Sequence, residues 1–133
     1  MKKLIAFFIP LVLVSCTKRI ELSDLIDKNA SFSYTIDKND PLSSHINMDH
    51  FKMDTIRVNS KKWHELMTFL SNNSNGWKST PASYIGQLHI HQNNFNLLML
   101  NNGVVLSFKD EDGRLRQYVK PIKQNELNFM FIE

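Results

Sequence analysis

The sequence predicts an α+β domain: an antiparallel sheet of about five to six strands, with one main helix over about 60–72 packed across it. Three observations lead there. Apolar residues recur at helical spacing most clearly around Trp63–Leu70, with Ser60 in the position of a helix cap. Four strand-like runs follow one another from Tyr84 to Lys120, separated by short polar turns that include Asn102-Gly103 and Asp112-Gly113. Further upstream, Phe32, Tyr34 and Ile36 alternate with polar residues, the period of a half-buried strand.

Taken in chain order, Leu22, Leu25 and Ile26 make one amphipathic turn within a polar stretch that otherwise reads as a tether from Thr17 to about Ala30. The Phe32–Ile36 strand ends at Asp37-Lys38-Asn39-Asp40-Pro41, a run of turn-forming residues. Leu42 to His50 has no clear period and reads as a loop. Phe51, Met53 and Thr55 suggest a second strand, shifting phase towards Ile56 and Val58. In the helix, Trp63, Leu66, Met67 and Leu70 fall on one face, while Lys61, Lys62 and Glu65 fall elsewhere around it. Ser71 to Gly76 is a polar loop, and Trp77 returns the chain to the core.

Tyr84–His91, Phe95–Leu100, Val104–Lys109 and Arg114–Lys120 then form the meander. Phe95–Leu100 is apolar on both faces towards its end, as a central strand requires. Pro121 stops the last strand, and Leu127, Met130 and Phe131 are placed in a short helix.

The opening differs from the rest. Lys2 and Lys3 precede an apolar run from Leu4 to Val14, followed by Leu13-Val14-Ser15-Cys16. A run of about eleven residues is too short to span a bilayer, which takes about twenty. This pattern resembles the signal peptide and lipobox of bacterial lipoproteins. The resemblance covers residues 1–16 and implies removal of 1–15, diacylglycerol on the Cys16 sulfur, a tether over 16–30 and a single domain over 31–133. Two or three acyl chains hold a protein to a membrane where one does not. The resemblance implies a cell-envelope protein. With no aspartate after Cys16 and no acidic tract beyond it, the expected location is the outer membrane, facing the periplasm.

Charge and cysteine usage narrow the function classes. The chain has sixteen basic and thirteen acidic residues. Without Lys2 and Lys3 the balance is about +1, which argues against a nucleic-acid partner. Cys16 is the only cysteine. Lipidation would consume it, and with it any disulfide, thiol nucleophile or thiolate metal site. No G-x-S-x-G, H-E-x-x-H or S-x-x-K motif occurs, and the glycines at 76, 86, 103 and 113 are scattered. The expectation is a protein that is not an enzyme and carries no cofactor besides the lipid. An envelope-polymer hydrolase remains the less favoured class.

Two constellations carry the candidate sites. Arg114, Arg116, Tyr118 and Lys120 share one strand face, opposite Leu115 and Val119. Arg and Tyr are enriched at binding hot spots, so this stripe is the expected surface for an envelope protein partner, with an inhibitor or immunity protein as one form. The same stripe fits an ordinary basic, solvated sheet face. His89 and His91, with Gln87, share a face of another strand while Leu88 and Ile90 point inward. The alternative function is metal or small-ligand binding by this pair, Zn or Cu if His50 or Asp49 supplies a further ligand, and the pair equally fits a solvated face. Asp110-Glu111-Asp112-Gly113 fails as a calcium loop, because the first ligand position falls on Phe108, and it reads as a hairpin turn. Trp63 and Trp77 are assigned to the core.

Overall fold

The fold is taken from a computed structural model that describes residues 16–38, 50–123 and 125–132. The signal stretch at 1–15 and most of the 42–50 loop, Asp49 included, lie outside these residues, as do Asn39-Asp40-Pro41. In chain order the elements are β1 (Phe32–Asp37), β2 (Phe51–Ile56), α1 (Lys61–Asn72), β3 (Lys78–Ser79), β4 (Leu88–Gln92), β5 (Phe95–Met99), β6 (Gly103–Lys109) and β7 (Leu115–Pro121). Short 3-10 turns cover Leu22–Asp24 and Asn128–Phe131.

All the strands join one sheet of seven, in the order β2-β1-β4-β5-β6-β7-β3, and every pairing is antiparallel. The fold is α+β with a single α-helix. The seventh strand is the two-residue β3, too short to leave a periodic signal. β5 lies in the middle of the sheet, as its two-sided apolar pattern requires. The first meander run starts later than its pattern suggests: β4 begins at Leu88, not at Tyr84.

Alternation places one face of the sheet in the core. Phe32, Tyr34 and Ile36 from β1, Leu88 and Ile90 from β4, Leu97 from β5 and Leu106 from β6 are buried together with Leu66, Phe69 and Leu70 of α1. Ser60 caps the helix, its hydroxyl accepting from the Trp63 amide at 3.2 Å. The helix buries a line through Phe69, while Trp63 and Met67 are only partly buried at its margin. Trp77 is fully buried and donates its indole N–H to the Asn73 carbonyl at 2.7 Å. Leu127 and Met130 complete the core from a 3-10 turn: a spacing of three stacks them on one side, and Phe131 is left partly exposed.

The stretch expected to be a tether is part of the fold. Lys18 forms a β-bridge with Trp77, on the outer side of β3, with N···O distances of 2.7 and 3.1 Å. The Ile20 amide donates to the Ser74 carbonyl at 2.7 Å, and Ile20 and Leu22 are buried. At its far end, Gln92 is 5% exposed and clamps the segment. Its carbonyl accepts from the Asp27 amide at 2.6 Å, and its amide donates to the Asp27 and Ala30 carbonyls at 2.9 and 2.8 Å. An amphipathic turn too short to fold by itself is held by these groups and by core contacts of Leu25 and Ile26.

Candidate functional site

The second face of the sheet carries no helix among the described residues. Register sets it out in rows. Ser33 of β1 lies beside His91, then Asn96, Ser107 and Gln117; the next row is Thr35, His89, Leu98, Val105 and Val119. The first row is polar throughout and the second mixes imidazole with aliphatic side chains.

Residues 80–87 cross this face as a strap. They leave β3 at one edge and enter β4 near the centre. At the start, the Thr80 amide donates to the Gln117 carbonyl at 3.1 Å, and the Gln117 side chain donates to the Ala82 carbonyl at 2.6 Å. At the end, the Gln87 amide donates to the Met99 carbonyl at 3.0 Å. Gly86 makes the approach possible: a Cβ there would lie 2.2 Å from the Met99 oxygen and 2.8 Å from Leu98. The Tyr84 hydroxyl is 2.7 Å from that of Thr80. Beneath the strap, Val105 is buried although it faces away from the main core.

Between strap and sheet lies a pocket of about 400 Å³ lined by Tyr84, His89, Asn96, Leu98, Val105, Ser107 and Gln117. His89 Nε2 is 3.3 Å from Asn96 Oδ1. His89 and His91 do share the face, with ring centroids 5.5 Å apart. His91 Nδ1 is buried without a hydrogen-bond partner among the described groups. His50 is elsewhere: its carbonyl accepts from Lys38 beside the edge strand β2, two strands from β4. Among the described residues, no three His, Cys, Asp or Glu side chains come together as a metal would need.

The β7 stripe shares one face, as its alternation implies, but that face is the core side, a correction to the expected solvent exposure. Tyr118 is 8% exposed, stacked on Phe108 at 6.0 Å, with Lys18 Nζ 5.5 Å above its ring. Its register partner Leu106 is fully buried, which fixes the sense of the strand. Leu115, on the opposite face, is instead 67% exposed. The stripe is also divided along its length: Arg114 and Arg116 are exposed at the hairpin end, whereas Lys120 is half-buried at the other.

Arg116 is engaged within the hairpin. Its Nε donates to Asp110 at 2.7 Å, and the same carboxylate accepts from the amides of Asp112 and Arg114 at 3.0 and 2.9 Å. The Arg114 amide, then the Arg116 side chain, hold the Asp110 carboxyl below its ordinary range, and Asp110 holds the Arg116 proton more firmly. The turn expected at 110–113 therefore has its acid serving as a structural acceptor. Asp54 is also lowered, first by the Thr55 amide and then by nearby Lys52. All three groups lie on the surface, Asp110 and Arg116 paired across a turn and Asp54 hydrogen-bonded to the Thr55 amide and the Tyr34 hydroxyl on an edge strand, a structural cause for such shifts.

Sequence patterning does not single out Tyr84, Asn96, Ser107 and Gln117. Parity on each strand was available, but their common row depends on register between strands. Cys16 is exposed, two residues before the Lys18 bridge. In comparisons with family models, curated proteins and solved structures, the chain matches none.

Proposed function

We propose that this chain is a lipid-anchored cell-envelope module that binds another protein through the helix-free face of its sheet, without catalysing a reaction. The observation that carries this reading is the chemistry of that face. Tyr84, His89, Asn96, Ser107 and Gln117 converge around one pocket, offering phenol, imidazole, hydroxyl and amide groups beside aliphatic Leu98 and Val105. Such a set suits the mixed polar and apolar surface of a protein partner. The lipobox-like residues at 13–16 support the anchor on Cys16 and a location at the outer membrane, facing the periplasm. Anchoring would raise the local concentration of the module near membrane-associated partners. An inhibitor or immunity protein is one form of this activity.

The test uses the full chain in cells. A photo-crosslinking residue at His89 should capture one envelope protein, and the same probe at Arg116, on the opposite face, should not. Gln117→Arg should abolish that capture. Equal capture from both faces, or capture unaffected by Gln117→Arg, would reject the proposed surface. Separately, Cys16→Ala should abolish acyl labelling; unchanged acylation would remove the anchor from the proposal.

A further inference from the structure

The sheet has two edges, and they are finished differently. At the β3 edge, the Lys18 bridge satisfies the outward-pointing backbone N–H and C=O of the buried Trp77. At the other edge, β2 is the last strand among the described residues. The Lys38 amide donates to the His50 carbonyl, and the Asp37 amide to Gln87 on the opposite side. Antiparallel alternation then turns the backbone groups of Lys52, Asp54 and Ile56 towards β1, and those of Phe51, Met53 and Thr55 away from the sheet. The Asp54 carboxylate accepts from the outward Thr55 amide at 2.7 Å. Met53 is 75% and Phe51 40% exposed, and their side chains lie on the helix-free face. An exposed edge strand of this kind is a template for another strand.

We propose that the occupant is a second copy of this chain, paired antiparallel through β2 about a two-fold axis at Met53. Charge selects the register. With Met53 opposite its own copy, Lys52 faces Asp54 of the other protomer on both sides of the axis. Sliding one way sets Lys52 against Lys52, and the other way sets Asp54 against Asp54; like charges directly opposite are unfavourable. The same centred register makes the Met53 pair and both Phe51–Thr55 pairs hydrogen-bonded, so about six backbone bonds join the protomers. It makes Lys52–Asp54 the non-hydrogen-bonded pairs, whose side chains approach more closely. The carboxylate that occupies the Thr55 amide in one copy passes to Lys52 of the other as that amide enters the shared ladder. Both Met53 side chains meet on one face, because a two-fold axis perpendicular to the sheet keeps its faces. This pairing is independent of the anchor and of the proposed partner surface.

The test is disulfide trapping in the chain carrying Cys16→Ser, so that the introduced thiol is the only one present. Met53→Cys places two thiols across the axis at a Cα separation of about 5.5 Å, within disulfide reach. Mild oxidation should give a dimer of twice the chain mass, whereas Ile85→Cys, at an even more exposed position but away from the edge, should give none. In the Met53→Cys background, Lys52→Asp should reduce trapping at least about tenfold, and adding Asp54→Lys should restore it. Far-UV circular dichroism confirms that each variant is folded. Lys52→Asp by itself removes the attraction of Lys52 for Asp54 but keeps the hydrogen bonds of Asp54 with Tyr34 and the Thr55 amide, so its result stands if the double variant does not fold. Equal trapping at Ile85, trapping indifferent to Lys52→Asp, or a crosslinked species of another mass would each overturn self-pairing.

Discussion

Gln92 provides the sharpest test of whether residues 18–30 belong to the domain. Gln92→Met keeps the length and most of the volume of the side chain while deleting its carbonyl and amide. Three hydrogen bonds disappear, two to Asp27 and one to Ala30. At about 1 kcal/mol net for each, the loss is about 3 kcal/mol. That is a large part of the roughly 5–15 kcal/mol by which domains are stable. For a domain running from Lys18 to Ile132, about 115 residues, it corresponds to a fall in melting temperature of about 10–12 °C. Urea unfolding gives the free energy, and hydrogen exchange at the Asp27 amide shows whether the clamp has opened. A transition within about 0.5 kcal/mol of the parent, with Asp27 exchange unchanged, would mean that Gln92 does not hold the segment.

Two further perturbations test the strap and the hairpin. Gly86→Ala drives a methyl into the Met99 carbonyl and should cost about 1–3 kcal/mol while exposing Tyr84 to chymotrypsin; parent-like stability and resistance would refute the close-approach argument. The depressed Asp110 carboxyl contributes stability that is present above its unfolded value of 3.8 and is lost as pH falls through its lower folded value. Asp110→Asn should therefore reduce stability at neutral pH and flatten the acid limb of a pH–stability curve; an unchanged acid limb would show that Asp110 does not contribute to it.

Much of this architecture is legible in the sequence where a pattern has only one physical outcome. Ser60 before a 3.6-residue period leaves little alternative to a helix, and the two-sided apolar run at Phe95–Leu100 belongs in the middle of a sheet. On β4, Leu88 and Ile90 against His89 and His91 settle which face is inward. β7 offers no such contrast. Leu115 and Val119 on one side compete with Tyr118 on the other, and parity separates the faces without telling which is buried. That choice is made by register, through Leu106, and by the ability of Tyr118 to bury its ring while its hydroxyl reaches Lys18 at 3.5 Å. The strap and the N-terminal segment leave fainter traces still. Their order comes from single groups, Gly86 in one and Gln92 in the other, whose contacts are far away in sequence.

On the proposed anchor, the bridge between Lys18 and Trp77 would set the geometry at the membrane. With Cys16 as the acylated residue, Thr17 is the only spacer before the sheet, a reach of about 7 Å, where a free chain to Ala30 would extend about 50 Å. With that proposed anchor, so short a leash would keep the domain from searching the periplasm, and a partner would have to approach the headgroups to meet it. The leash also starts at the β3 edge, about 29 Å from β2 across six strand spacings. Two copies joined through β2 would carry their lipids at opposite ends of one sheet, about 60 Å apart. Both enter the same leaflet only when that sheet lies along the bilayer, so that one face is shielded and the other is turned to the aqueous compartment.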